Sequence, residues 1–534
     1  MAKQTLKINS ADNVAVAVSA ILAGEQHEGV TLTENVPAGH KFALTDIAAG
    51  ELIIKFGCPI AKATADIPAG SHVHVHNAAT CISLSYSFTP SENTDEGNGE
   101  TRKDETAEEL TESENSEAQA DQLTPDETIS EEAAPQETPP QATTPEQPTK
   151  RTVKVYHREN GDVGIRNELW IISTTGSVNG LAKLILKTFK NRFGTQGFDG
   201  AYAITHPYGE SQCGEDRERT RAILQKLVRH PNAGGVLLVG LDGVDEFRLN
   251  LGGVDGNRVK FLNCLEVTDE IESGVMLARQ ISEVMKRDVR EEADISCLKI
   301  GLKCGGTDLL SSITANPLLG KFSDYLISNG GTCALSEIPE TFGAEKLILD
   351  RAENSEAFDE ASKLIGDYKD YFRSYGRSVY SNPSPSLSEQ GFTTIEEKSV
   401  AGTQKGGSSP ISGVVFDDGI IEKNGLNLVS GPDDDLCGIT FLAAAGCHIV
   451  LFVTGKGTPV GGVVPTVKIS SNTALFEKKS NWVDFDAGAV LESDYETRLE
   501  KLIDFVIAVA DGKLTKNEIN STRELAILKT GITL

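Results

Sequence analysis

From residue 168 to residue 470, short apolar runs alternate with stretches of helical periodicity, and this alternation leaves few architectures open. ELWIISTTGSVN, GAYAITHP, GVLLVGLDG, LKIGLKCGG, TCALSEIP and CHIVLFVTGKG read as short buried strands. LAKLILKTFKNRF, ERTRAILQKLVRH, IESGVMLARQISEVMKR, LLGKFSDYLISNGG and ENSEAFDEASKLIGDYKDYFRSY carry apolar residues at helical spacing. Strands alternating with helices imply βαβ units and mainly parallel sheets buried on both faces. The prediction for residues 151–534 is therefore an α/β, Rossmann-like domain, with possible halves at 151–290 and 291–534. Residues 381–415, rich in Ser, Pro and Gly, are expected to form a long loop.

The first 89 residues follow a different rule. TLKI, NVAVAV, GVTLT, KFALTDI, ELIIKFG, AKATADI and HVHVHN are short β-prone segments separated by Pro-Ala-Gly and Ala-Ala-Gly turns, which predicts a compact β-rich domain. Residues 15–23 are expected to contain one short helix. Between the two regions, residues 91–150 hold eighteen Asp and Glu against three Lys and Arg, six Pro and no aromatic residue. Such a segment cannot bury enough apolar surface to offset the entropy of ordering, about 1–2 kcal/mol per backbone residue. An acidic, disordered linker over 90–150 is the expectation.

Charge and composition exclude several functions. The formal net charge of −28 disfavours nucleic acid and anionic lipid as partners. No run approaches eighteen apolar residues, so no membrane span is expected. The first residues lack the apolar core of a secretory signal, and nine Cys without paired spacing read as reduced thiols. A cytoplasmic protein acting on a small molecule, and possible as a homo-oligomer, fits this pattern.

Two places in the sequence can carry chemistry. His72, His74 and His76 would share one face of a strand and could supply imidazole to a divalent metal, although the spacing does not name the ion. His40 and His27 read as structural or surface residues. In open α/β sheets ligands bind beyond the carboxyl ends of strands. GLKCGGTD places Lys303, Cys304, Gly305, Gly306, Thr307 and Asp308 at such an end, and QKGGSSP and GKGTP add Lys405 and Lys456 on similar Gly-rich turns. Backbone donors and Lys at these turns suit a small acidic substrate such as a sugar acid, and the absence of GxxxxGK[ST] and GxGxxG disfavours a nucleotide. Lys303, Cys304, Asp308 and Lys405 are the candidate catalytic residues; Gly305, Gly306, Thr307, Lys456 and Asn316 are candidates for substrate binding. Glu337 and Glu340 could be base, ligand or helix caps, and Asp433, Asp434 and Asp435 precede a helix they could cap.

The ordered strings PAGHKFALTDIAAGELIIKFGCPIAKATADIPAGSHVHVHN, GDVGIRNELWII, HPNAGGVLLVGL, GLKCGGTDLLSSITANP, SEIPETFGAEKLI, TTIEEKS with QKGG, and VLFVTGKGTPVGGVVPTVKISSNTAL with WVDFDAG resemble the altronate and galactarate dehydratase family. The resemblance implies an N-terminal SAF domain of β-clip-like type, a large dehydratase domain, a divalent metal (iron or manganese) and a sugar-acid substrate. It implies elimination of water from an aldonate to give a 2-keto-3-deoxy acid. The chain also departs from the pattern. Relatives carry cysteines where this chain has Ser177, Glu210, Gly243 and Gly402, and Gly-Asn-Lys where it has Ser386, Leu387 and Ser388. Two readings follow: an active metal-dependent hydro-lyase, or a weak or inactive paralogue that binds sugar acids or regulates a partner enzyme.

Overall fold

The structure is a computed structural model that describes residues 3–81, 151–209, 211–241, 255–381, 383–417 and 419–531. The expected linker, and Glu210 and Gly243, lie outside the described residues.

Seven parallel strands form the main sheet. Across the sheet their order is Ile411–Val415, Gly425–Val429, Thr332–Leu335, Lys299–Cys304, Ile449–Thr454, Thr466–Ser470 and Phe485–Asp486. The apolar runs are buried on both faces because alternate residues point to opposite sides. In Ile449–Thr454, residues Ile449, Leu451 and Val453 pack with helices Asn316–Ser328, Ser355–Ser374 and Tyr495–Ala510. Val450 and Phe452 pack with helix Asp435–Ala444 on the other face. That second core continues into a four-stranded parallel sheet, ordered Gly200–Ile204, Glu168–Ser173, Ala233–Gly240 and Val259–Asn263.

The two sheets are interlocked along the chain. Strand Thr152–His157 pairs antiparallel with Glu291–Asp294. From the far end of the chain, Arg523 clamps Glu168 with two bonds of 2.7 and 2.6 Å, while Arg166 Nε donates to Glu518 Oε1 at 2.8 Å. Arg166, Glu168 and Glu518 are all buried.

Residues 3–81 form small antiparallel sheets of four, three and two strands. The three expected turns all place glycine at positive φ: Gly39 and Gly50 at 90°, Gly70 at 84°. The expected short helix over residues 15–23 is absent. Val14–Ala17 is instead a fully buried strand, because its alanines and valines pair with Lys41–Ala43 across a close-packed sheet. HVHVHN is strand only at His72–Val73 and then turns. The small domain docks on the segment expected to be a long loop. That segment contains helix Ile395–Thr403, whose N-terminus is capped by the Thr394 side chain accepting from Glu397 N–H. Eight of its nine residues are buried, so packing overrides the Ser- and Gly-rich composition. Phe392, Val400 and Ala401 join the core of the small domain.

No helix among the described residues is long and apolar enough to cross a membrane.

Candidate active site

The carboxyl ends of the two central strands carry a compact ionic cluster. Strand Lys299–Cys304 ends in Lys303 and Cys304, and strand Thr332–Leu335 leads into Glu337. Glu337 sits in the left-handed region at φ 69°, an uncommon conformation for a residue with a side chain. This backbone kink turns its carboxylate back over the neighbouring strand. There Glu337 accepts from the Lys303 ammonium and, at 2.9 Å, from Cys304 N–H. Lys405, from the turn after helix Ile395–Thr403, reaches Glu337 and Glu340 at 2.8 Å each and the Gly402 carbonyl at 2.8 Å. Lys303, Lys405 and Glu337 are almost completely buried. Despite burial, the carboxylates raise Lys405 and Lys303 above the usual lysine value, so both stay protonated.

This arrangement changes the role expected of Lys303 and Lys405. Both were expected to offer open positive charge to an acidic substrate. They are instead neutralised by Glu337 and Glu340, two cations against two anions. Cys304 is corrected in the same way. It was a candidate catalytic residue, but it is 1% exposed in the sheet core and burial pushes its thiol far above the usual range. A thiol held protonated does not attack.

The groups that face outward lie around this cluster. Glu340 accepts from Thr307 Oγ1 at 3.2 Å, and against the effect of burial Lys405 holds its carboxyl below the usual range. Asp433, in the loop after strand Gly425–Val429, is exposed. Desolvation first, then the carboxylates Glu340 and Glu337, push its carboxyl up to about 7. The Asp433 carbonyl accepts from Lys303 at 2.9 Å, which ties the loop to the cluster. Asp434 does cap helix Asp435–Ala444, accepting from Cys437 N–H, so the expected capping role falls to the middle aspartate. The Glu340 and Asp433 carboxyls are thus shifted in opposite directions, as the members of an acid–base pair are.

The remaining predicted residues take three kinds of place. Gly305 and Gly306 are exposed at the strand end, with Gly306 at φ 123°, and Thr307 continues the turn towards Glu340. Asp308 accepts from Ser311 N–H at 2.7 Å, and a Cβ on Gly455 would lie 1.8 Å from its Oδ2. Lys456 is exposed on its turn. Asn316 is fully buried, donates to the Ala401 carbonyl at 2.8 Å and leaves Oδ1 without a partner, behind the cluster. At position 402, where the family pattern has cysteine, a Cβ would stand 2.8 Å from Glu340 Oε2 and 3.2 Å from Thr307 Oγ1. The missing side chain leaves that space to Glu340. Ser177 is exposed after strand Glu168–Ser173, apart from these contacts.

The histidines assemble at the junction of the two domains, and the lone-histidine reading of His40 is corrected. His40 Nδ1 faces His72 Nε2 at 2.9 Å, and the His40 and His74 rings stack at 4.7 Å. His40 Nε2 meets the Glu389 carbonyl at 3.3 Å and His74 Nε2 the Ser388 carbonyl at 3.2 Å. A carbonyl only accepts, so both rings carry their proton on Nε2, and His40 Nδ1 accepts from His72 Nε2. Burial, followed for His72 by the neighbouring imidazoles, lowers all three and brings His72 to about 4. Neutral rings oriented by backbone carbonyls are the donor chemistry a divalent metal requires. No group of three His, Cys, Asp or Glu among the described residues has the geometry to hold one. His76 is exposed with its ring 5.4 Å from that of His72. The signal that could have found His40 is the Pro-Ala-Gly turn before it: Gly39 brings the backbone within 2.6 Å, measured from its absent Cβ, of the Gln390 carbonyl.

Helix Ile395–Thr403 joins the two places. Near its start Glu397 takes Lys41 at 2.9 Å and Lys55 at 2.8 Å from the small domain, all buried. At its end lie Gly402 and Lys405. A separate cavity of about 770 Å³ opens between helices Gly214–Val228 and Ser355–Ser374. There Arg219 is already bound to Asp216 and Asp417.

Three family descriptions match successive parts of the chain: the altronate/galactarate dehydratase SAF domain over residues 3–81, the D-galactarate dehydratase/altronate hydrolase second domain over 155–286, and the D-galactarate/altronate dehydratase C-terminal domain over 295–533. The chain is 44% identical to an altronate dehydratase of Escherichia coli (strain K12), over 99% of this chain and 100% of that protein. It is 43% identical to an altronate dehydratase of Bacillus subtilis (strain 168) over the full length of both. A galactarate dehydratase (L-threo-forming) of Escherichia coli (strain K12) is 28% identical over 95% of this chain and 93% of that protein.

Proposed function

Because the chain belongs to the altronate and galactarate dehydratase family, we propose that it is a hydro-lyase that removes water from a sugar acid of the altronate type, giving the 2-keto-3-deoxy acid. What carries the chemical reading is that Glu340 and the Asp433 loop meet the same Lys303–Lys405 cluster, with their carboxyls shifted in opposite directions.

The C2 proton of an aldonate is weakly acidic because its carboxylate is already charged. Glu340, kept ionised by Lys405, takes that proton, and the bonding pair passes into an enediolate. As C2=C3 forms, the C3–O bond breaks and the hydroxyl leaves as water with the Asp433 proton. The enol then tautomerises to the ketone. Glu340 returns its proton to solvent and Asp433 is reprotonated from it, so the site is restored. Lys303 and Lys405 act through the carboxylates they hold, and the backbone of Gly305, Gly306 and Thr307 offers donors to the bound acid. Asp308 and Lys456 complete the walls of the site in this reading, and Asn316, buried, supports Ala401 beside Gly402.

A divalent ion, Fe²⁺ or Mn²⁺, would need His72, His74 and His76, with His40, to rearrange, since no three of them form a metal-holding group among the described residues; if bound, it would supply Lewis-acid stabilisation of developing negative charge. Further parts of the same reading are a Rossmann-like fold for the large domain, a cytoplasmic location, a possible homo-oligomer, and no nucleic acid or membrane partner.

The deciding experiment is anaerobic turnover of altronate and galactarate, with and without added Fe²⁺ or Mn²⁺, followed as 2-keto acid formation. Turnover of either sugar acid is expected. Failure on both would overturn the reading in favour of a paralogue that binds without reaction.

A further inference from the structure

The cleft has a charge problem that its buried lysines do not solve. Lys303 and Lys405 are matched by Glu337 and Glu340, while Asp434 and Asp435 add further carboxylates in the adjoining loop. A substrate carboxylate entering such a site meets net negative charge unless an uncommitted cation is present.

Lys398 is such a cation. It lies on helix Ile395–Thr403, four residues before Gly402, so the two share one face of the helix. That face abuts the acid–base pair, since the space beside Gly402 is filled by Glu340 and Thr307. Lys398 is only part-buried, and it has no ion pair or side-chain hydrogen bond among the described residues. Its charge is nonetheless felt by both Glu340 and Asp433. A part-buried ammonium on the helix face that abuts Glu340, without an ion pair among the described residues, is placed to receive an anion beside that carboxylate.

Resting on the dehydratase reading, we propose that Lys398 anchors the substrate carboxylate and is the residue by which the site selects an aldonate over a neutral sugar derivative. The chemistry gives the anchor a second use. When the C2 proton leaves, the electron pair moves into the carboxylate carbon, so negative charge grows on the oxygens that Lys398 holds. Holding C1 at Lys398 also leaves C2 and C3 one and two bonds away, towards the two carboxyl groups.

The test uses the full chain as wild type, Lys398→Met and Lys398→Arg, with altronate and its neutral carboxamide as paired substrates. Lys398→Met keeps most of the apolar stem and removes the charge. Its melting temperature should match wild type, while its KM for altronate rises about tenfold to a hundredfold, the scale of a lost charged hydrogen bond. The preference for altronate over the amide should disappear. Lys398→Arg should regain part of it. Because Lys398 lowers Asp433, the alkaline limb of the rate profile should also move to higher pH in Lys398→Met. An unchanged KM with an unchanged preference would overturn the anchor. If wild type turns over neither sugar acid, the dehydratase reading has failed, and calorimetric titration with altronate decides the anchor separately. Binding by wild type that is lost in Lys398→Met supports it. Equal binding by both, or none by wild type, overturns it.

Discussion

Asp433 is the group whose protonation should set the working pH. As the acid it must hold its proton, so kcat/KM falls as pH rises through about 7. Asp433→Asn keeps the shape and cannot give a proton; kcat should drop on the order of a hundredfold or more, with the alkaline limb gone from what activity remains. Glu340→Gln should cost a comparable factor by removing the base. Gly402 offers a different kind of test. A Cβ there would meet Glu340 Oε2 at 2.8 Å, so Gly402→Ala must displace a carboxylate that Lys405 and Thr307 hold in place. The expected outcome is a fall in kcat with about 1–3 kcal/mol of lost stability, measured by denaturant unfolding.

At the scale of the element, helix Ile395–Thr403 ties the small domain to the cluster. Glu397 serves two ammonium groups at once, and despite burial Lys41 and Lys55 hold it down at about 2. Burial meanwhile lowers Lys41 itself to about 8, because it shares its single carboxylate with Lys55. A carboxyl lowered in the folded state contributes stability that is complete above about 4.5 and is lost as pH falls towards about 2. Glu397→Gln should therefore flatten the acid limb of the stability curve between those values and destabilise the protein by about 3–5 kcal/mol, since two buried cations lose their partner. Differential scanning calorimetry from pH 5 to pH 2.5 measures both effects. The same helix marks where sequence reading succeeds and fails. The strands were legible because parallel strands buried on both faces leave continuous apolar runs. Helix Ile395–Thr403 was not, since its polar residues are buried by partners far away in the chain: Lys41 and Lys55 lie more than 340 positions from Glu397. The turn at GLKCGGTD was legible as a site from its glycines and strand end. The pairing that neutralises Lys303 and Lys405 was not, because it rests on the left-handed backbone at Glu337, which no local pattern announces. Lys398 sat within a quoted motif, and only the third dimension shows which charges surround it.

At the scale of the whole molecule, a net charge of −28 opposes the approach of any anion. Screening should relieve this, so kcat/KM for a sugar acid should rise several-fold between 10 mM and 150 mM salt before levelling, as the Debye length contracts from about 30 to 8 Å. The ion pairs across the large domain set its cooperativity. Arg523→Met leaves Glu168 buried without its clamp and should cost about 3–5 kcal/mol, with both sheets melting in one transition.

The clamp also imposes an order in time. Arg166 and Glu168 leave the ribosome some 350 residues ahead of Glu518 and Arg523, a delay of tens of seconds at usual rates of synthesis. Until that segment is made, Arg166 and Glu168 lack these ionic partners. Closure of the four-stranded sheet therefore waits until Glu518 and Arg523 have been made, and a polypeptide that stops before them would leave strand Glu168–Ser173 without its clamp.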